Sequence, residues 1–506
     1  MTPGTMMACS LLRSVLCGSA ALLLVCPLSR RIQSEPSWRG RRFWLVAAVI
    51  PFFAPELLIG FTYRVTAAKL VHSELATELL YGVLMLIRCV SAGTALILVP
   101  GSSAVSRQAL YSWLLLKPYR PIFSWWRGWL WLQVRGPWRS AIICWSLMVL
   151  ICFQEFETAA LLQIDRHPIS WTVWLFDAHS ARQPLADLLR LSLIPILAEC
   201  LLLAICLPLF NGRGGYREAA QPAAGDGHGS GRMPGLLNLA VSTIWLCMAL
   251  GAVILWPLAA CLVPFVLDPG KFTGQGTLLW QSVRQIIVSA GFAVSAAVIA
   301  LSVAAWLLAQ RRPWAVVLAL FPGLSGSLVL SLSLLAVFQL PGVASLYDTW
   351  LPLLVGSALS VLPRACLGVL FLSRMADPAA VHSATLLLQS PAPAVRQFAG
   401  GVIWRLRTRG WFLCGLLIVQ WAFWDVTVAA ILRPVDLEPV VTRLYNEMHY
   451  GRTETLLLMT LLGMVIPGLM SLMAMVIWRS VASRYGYHRS RLQRAGGGQA
   501  SEVGSG

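Results

Sequence analysis

The chain repeats itself at a spacing of about 270 residues, and both copies are written in long apolar runs. Phe156-Glu157-Thr158-Ala159-Ala160-Leu161-Leu162 stands where the second half has Val426-Thr427-Val428-Ala429-Ala430-Ile431-Leu432. Directly before these runs, Glu155 matches Asp425. Leu45 to Gly60 is echoed by Val316 to Ser331, with Pro51 and Pro322 at matching places. Further on, Leu175-Phe176-Asp177 and His179 return as Leu444-Tyr445-Asn446 and His449. An ordered internal repeat of apolar segments is a mark of transporters, whose halves copy one membrane unit.

Of the 506 residues, 58% are hydrophobic and only 12% are charged, about half the charge of a soluble domain. Apolar stretches of 18 or more residues recur from end to end, which argues spans in a lipid bilayer rather than one buried core. The net charge of +18 would suggest nucleic acid in a soluble protein. Here the basic residues fall in short loops between apolar runs, where they set topology, and no nucleic-acid partner is expected. Twelve cysteines are scattered without a CxxC pair, several of them inside apolar runs (Cys144, Cys152, Cys200, Cys206). They read as small core hydrophobes, with no metal site implied. Trp44, Trp138, Trp314, Trp411 and Trp478 fall near span ends, as interfacial belts require.

Spans are expected at 9–28, 43–63, 76–100, 139–162, 186–210, 236–266, 285–309, 313–338, 351–373, 411–432 and 454–477. The fold class is therefore all-α and polytopic, with about 11 transmembrane helices. The first run could pass for a signal peptide, but the arginine cluster from Arg30 to Arg42 follows it rather than precedes it. It is expected to be a retained first span, matching Val288 to Leu308 of the second copy. The boundaries are a first five-span repeat over 1–210, a polar Gly-rich and Ala-rich linker over 211–235, an extra span plus the second repeat over 236–480, and a basic tail over 481–506. The run at 236–266 exceeds a bilayer's thickness, so a tilt, a kink or an interfacial piece is expected there. With the N-terminus outside and the C-terminus inside, the inner segments carry 26 Lys or Arg and the outer loops 9, the positive-inside pattern. An even number of spans before the second copy makes the two repeats parallel.

No segment offers a soluble catalytic domain, and no GxxxxGK[ST] phosphate loop is present. The chain reads as a non-enzyme, and any ATP that drives it must be hydrolysed on partner subunits. An ionised group at mid-bilayer costs about 2.5–3.5 kcal/mol on the insertion scale, so the polar residues within spans are informative. They are Glu56, Arg88, Glu155, Glu157, Glu199, Arg364 and Asp425. Glu155 and Asp425, with Arg88 and Arg364 deep in the third span of each copy, either line a translocation path or pair within the bundle, the two acids being alternatively part-exposed near the headgroups. Pro51 and Pro322 either kink a gating helix or shape the packing. His179 and His449 have no neighbours at ligand spacing, and no metal site is expected. In the inner segment 374–410, Pro378 to Leu388 is helix-compatible, and Ser390-Pro391-Ala392-Pro393 breaks it. Such a helix would dock a partner or lie in the membrane interface.

Pro51 to Gly60, Pro322 to Ser331, Asp425 to Leu432 and Thr442-Arg443-Leu444-Tyr445-Asn446 with His449-Tyr450-Gly451 resemble the membrane subunit of a binding-protein-dependent ABC importer. The resemblance runs over nearly the whole chain and is to fused permeases of the iron(III) and thiamine type, two MetI-like permease repeats in one polypeptide. It implies a bacterial inner-membrane protein that binds no cofactor itself. It also implies two copies of an ATPase subunit holding ATP, an extracytoplasmic solute-binding protein as partner, and import of a small solute by alternating access. Family members carry Glu-Ala-Ala and a following Gly in a cytoplasmic coupling loop. Here His382-Ser383-Ala384 stand in place of the first motif and Leu388 in place of the glycine, while the first-copy loop around Arg107-Gln108-Ala109 departs further. The remaining alternatives are an ion-coupled secondary carrier and a membrane scaffold derived from a permease.

Overall fold

Long apolar segments with few charges can satisfy their own backbone only as helices, and a computed structural model of the chain has no strand among its described residues. It describes residues 3–70, 72–98, 121–135, 138–162, 170–210, 232–267, 276–310, 313–375, 378–404 and 409–450, with scattered positions in 111–115, 406 and 459–477. Two compact units result, one of residues 1–269 with 324–340, the other of residues 270–323 with 341–506.

In the first unit, α1 (Pro3–Ser34), α4 (Glu74–Ile97) and α6 (Arg139–Phe153) pack on one another. Their shared interior holds Ala21, Val25, Met85, Cys89, Cys144 and Met148. The cysteines here are free and buried, as core-filling thiols should be. Gly93 lets α4 approach closely: a Cβ there would lie 2.5 Å from Met148 Sδ and 2.9 Å from Val25 Cγ2. Small residues at such crossings are the membrane's substitute for a hydrophobic driving force, because dispersion contacts then do the packing.

Around this trio, α2 (Trp38–Val49) and α3 (Glu56–Leu70) are joined by a 3-10 turn, Ile50–Phe53, that contains the buried Pro51. The two helices are bent by 74°. α5 (Ile122–Arg135) leads into α6, and beyond α6 come α7 (Glu157–Leu162), α8 (Trp171–Ser180) and α9 (Leu185–Phe210). The extra span is α10 (Arg232–Leu250), a π-helical turn at Gly251–Leu255, and α11 (Trp256–Leu267); α10 packs on α1. The π turn is the kink device the long run needed, and Tyr63 Oη donates to its Ala252 carbonyl at 2.9 Å.

The second unit has the same core plan. α12 (Gly276–Ala309), α14 (Leu351–Met375) and α17 (Arg409–Phe423) pack on one another. Gly368 makes the close approach here, with a hypothetical Cβ 2.3 Å from Cys414 Sγ. Two short helices, α15 (Pro378–Leu387) and α16 (Pro393–Ile403), pack together in the expected loop, with the expected interruption between them. α18 (Val426–Leu432) and α19 (Val440–Tyr450) follow α17. The remaining helix, α13 (Pro313–Phe338), is broken at Gly326, where φ is 68° and ψ is 162°. Its part before the break belongs mostly to the second unit, and residues 324–340 to the first.

Five helices are long and apolar enough to cross a membrane, over Pro3–Ser34, Glu74–Ile97, Asn238–Ala260, Trp280–Ala309 and Leu351–Leu370. Counting three bent pairs as one span each gives eight among the described residues. The expected span 454–477 lies outside those residues, apart from scattered positions. The spans expected at 139–162 and 411–432 are interrupted, and those at 43–63 and 313–338, where a proline kink is one of the two readings, are interrupted as well. Each interruption has a local cause: Pro51, the polar Gln154-Glu155 pair, a left-handed Gly326, and Asp425 as a helix cap.

Candidate functional site

The break after α6 is built around Glu155. Its helix ends at Phe153, a turn at Gln154 and two non-helical residues follow, and α7 begins at Glu157. The first amides of a new helix have no intrahelical acceptor, and Glu155 supplies one. Its Oε1 accepts from Thr158 N at 2.5 Å, and its Oε2 accepts from Ala159 N at 3.1 Å. The Tyr81 hydroxyl, on α4, also donates to Oε2 at 2.8 Å. Glu155 is only 4% exposed. The carbonyls freed by the break are taken by the start of α8: Trp171 Nε1 donates to Phe153 O at 2.7 Å, and Thr172 Oγ1 to Glu155 O at 2.7 Å. Trp171 N in turn donates to Ser10 Oγ, on α1, at 3.1 Å.

The second unit builds the same arrangement from different side chains. Asp425 caps α18, its Oδ1 accepting from Val428 N at 3.1 Å and its Oδ2 from Ser360 Oγ, on α14, at 2.8 Å. The first amide of α19, Val440 N, donates to Ser289 Oγ, on α12, at 2.9 Å. Hydroxyl to carboxylate and amide to serine therefore occur in both units. An acid at a broken span thus holds together a helix end and a neighbouring helix in each copy.

The arginines differ between the copies. Arg88, on α4, forms an ion pair with Glu56 at the start of α3, and its guanidinium lies 5.8 Å from the centre of the Phe52 ring. Pro51, Glu56, Arg88 and Thr158 line a small cavity, in which Arg88 Nε and Thr158 Oγ1 meet no protein partner. Arg364, on α14, lies 5.3 Å from the centre of the Trp421 ring instead, a cation–π contact with α17. Pro51, Arg88 and Glu56 thus meet at one place, with Glu155 on the flanking break. Pro322 is buried in α13, four residues before the Gly326 break.

In the loop at 374–410, His382 and Ser383 are exposed on α15, Ala384 is buried, and Leu388 is exposed just past its end. Leu386, Leu387 and Phe398 add apolar exposed surface to the α15–α16 pair. The first-copy loop around Arg107-Gln108-Ala109 lies outside the described residues. His179 is half-buried on α8, where desolvation lowers its affinity for a proton. No group of three or more His, Cys, Asp or Glu among the described residues has metal-binding geometry.

Tyr81, Ser360, Ser10 and Ser289 are the hydrogen-bonding partners of the two breaks that reading by the 270-residue register misses. Tyr81 and Ser360 are separated by 279 positions, and so are Ser10 and Ser289. The register of these two spans differs from that of the breaks, because the loops between them differ in length. A search for hydroxyls in spans at a constant offset would have found both pairs. Set against family models, curated proteins and solved structures, the chain matches none of them. Its class is therefore defined by its own features: a helical protein with several apolar helices long enough to cross a membrane.

Proposed function

We propose that this chain is the permease subunit of a binding-protein-dependent ABC importer, two permease repeats fused in one polypeptide of the bacterial inner membrane. The observation that carries the reading is the duplicated acid-capped break, Glu155 with Tyr81 and Asp425 with Ser360. A broken span places irregular backbone and polar side chains at membrane depth, which is tolerated where it lines a cavity or is buried in protein. Doing so twice, in corresponding places, suits two repeats that move against each other in alternating access. The solute is small, ferric iron or a thiamine-like cation being the types that the resemblance suggests. Glu155, Asp425, Arg88 and Arg364 are the chain's candidate path groups, and Pro51 and Pro322 its hinges.

The drive comes from two copies of a separate ATPase subunit, which supply the ATP site this chain lacks. A solute-binding protein delivers cargo on the outer side. The exposed α15–α16 pair on the inner side supports ATPase docking, because its apolar tip at Leu386, Leu387 and Phe398 faces outward from the unit's own core. Cross-linking from cysteines placed at Ser383 and Thr385, both exposed, tests this in native membranes. A nucleotide-binding subunit captured at these positions is the expected result. Its absence from every cross-linked product, in membranes where the chain is folded, would remove the importer reading.

A further inference from the structure

A carboxylate outside the acid-capped breaks is buried with neither oxygen in a well-formed hydrogen bond. Glu199 sits past the middle of α9, the one charged residue between Leu191 and Phe210. It is 1% exposed. The Gln154 side chain stands beside it. Gln154 closes the end of α6 at the first break, and it also lies against Gly326, whose hypothetical Cβ would be 3.6 Å from Gln154 Cγ. Glu199 is therefore next to a residue shared by two interrupted helices of the first unit.

The neighbouring charges do not explain it. Of the helices packed on α9, α6 carries Arg139, Cys144 and Cys152, and α8 carries Asp177 and His179. The break carries Glu155 and Glu157, and α9 itself adds Asp187, Arg190 and Cys200. Residues 324–340 bring no titratable side chain. Arg190 pairs with Asp187, Glu155 is held by Tyr81, Cys144 donates to the Gly93 carbonyl, and none of these groups bonds to Glu199. An ionised carboxylate enclosed in apolar surroundings with no cation and only a neighbouring amide is disfavoured, whereas the neutral acid, which can share a hydrogen bond with that amide, is tolerated. A metal ion would need several ligands at once, and no such cluster exists among the described residues. A proton needs one oxygen.

We propose that Glu199, in the apolar helix α9, is a proton-binding site, holding a proton while the interruptions at Gln154 and Gly326 close over it and yielding it when they open to water. On release the carboxyl O–H bond breaks, its electron pair stays on the carboxylate, and the proton passes to a water molecule as hydronium. Opening then costs or yields one proton, so conformational change in this unit is linked to pH. The proposal does not rest on the importer reading, since it concerns one side chain's protonation and not the source of energy.

Dicyclohexylcarbodiimide, which attacks neutral carboxyl groups in apolar surroundings, is the probe. Full-length protein in membrane vesicles is treated across a pH series, and adducts are mapped by peptide mass spectrometry. The expected result is an adduct on Glu199 and not on Glu155, falling as pH rises and lost in Glu199→Gln. That variant should fold to the wild-type level, because an amide copies the neutral acid. Labelling of other carboxyls with none at Glu199, or labelling there that ignores pH, overturns the proposal. So does protection by sodium at constant pH, which would mark a metal-ion site, or loss of folded Glu199→Gln protein, which would mark a needed negative charge.

Discussion

At the scale of single residues, the two repeated acids are helix caps before they are anything else. Asp425 adopts an extended backbone (φ −77°, ψ 92°) and accepts from Val428 N, the geometry in which Asp and Asn are about equally good. Asp425→Ala should therefore cost about 0.5–2 kcal/mol of stability, and Asp425→Asn a few tenths at most. Thermal unfolding in detergent checks the pair. The same Asn variant separates structure from transport: if the charge serves the path, uptake per folded molecule falls while stability holds. The sequence made the acids visible through their repetition and their cost at membrane depth. Their geometry was hidden, because a cap is recognised only once the helix is known to stop. Periodicity alone reads 139–162 and 411–432 as unbroken. Arg88 and Arg364 make the same point from the other side: similar depth in similar helices, yet one meets Glu56 and the other Trp421. The partners come from loops and neighbouring helices that had diverged.

At the scale of elements, what was legible was the helical class, the tilt or kink in the long sixth run, and the short helix of the 374–410 loop. Apolar run length and proline placement report on these directly. Helix-to-helix contacts were not legible, since Leu and Val are equally at home against lipid and against protein. The glycines at crossings set those contacts. A Cβ at Gly368 would strike Cys414 Sγ at 2.3 Å, while the next nearest atom, Cys414 Cβ, is 3.9 Å away. Gly368→Ala is thus expected to destabilise the second unit by about 1–3 kcal/mol through overpacking. Adding Cys414→Ala in the same chain should recover most of that, because the obstructing sulfur is gone. A loss that persists in the double variant would mean the crossing is limited by backbone rather than by this side chain.

For the whole molecule, the excess of basic residues in the expected inner segments is a prediction of orientation, and side-chain exposure selects the reporters that test it. Met448 sits in an outer loop by sequence but is 1% exposed, so a cysteine there would be silent for reasons unrelated to topology. Val435, in the same segment, is 90% exposed. With reactive native cysteines replaced, Val435→Cys should react with a membrane-impermeant thiol reagent added outside. Thr385→Cys, Gly225→Cys and Ser501→Cys should react only after the membrane is opened. External reaction at Thr385→Cys or Gly225→Cys would invert the orientation. The internal sequence repeat and the charge bias are readable from one dimension, because each is a property of order along the chain. The assignment of residues 324–340 to the first unit is not, since nothing in an apolar run says which neighbours it will choose.

That assignment sets a timetable. The first unit runs to Pro269 and then lacks a helix that is encoded as far as Leu340, some 70 residues later. At about 5–20 residues per second, a ribosome needs roughly 4–14 s to deliver it. During that interval the nascent first unit already has the Tyr81, Trp171 and Thr172 bonds of its break but lacks the neighbour that Gly326 gives Gln154. A chain stopped at Pro269 would remain in that condition permanently, whereas one stopped just after Leu340 would contain every piece the first unit uses.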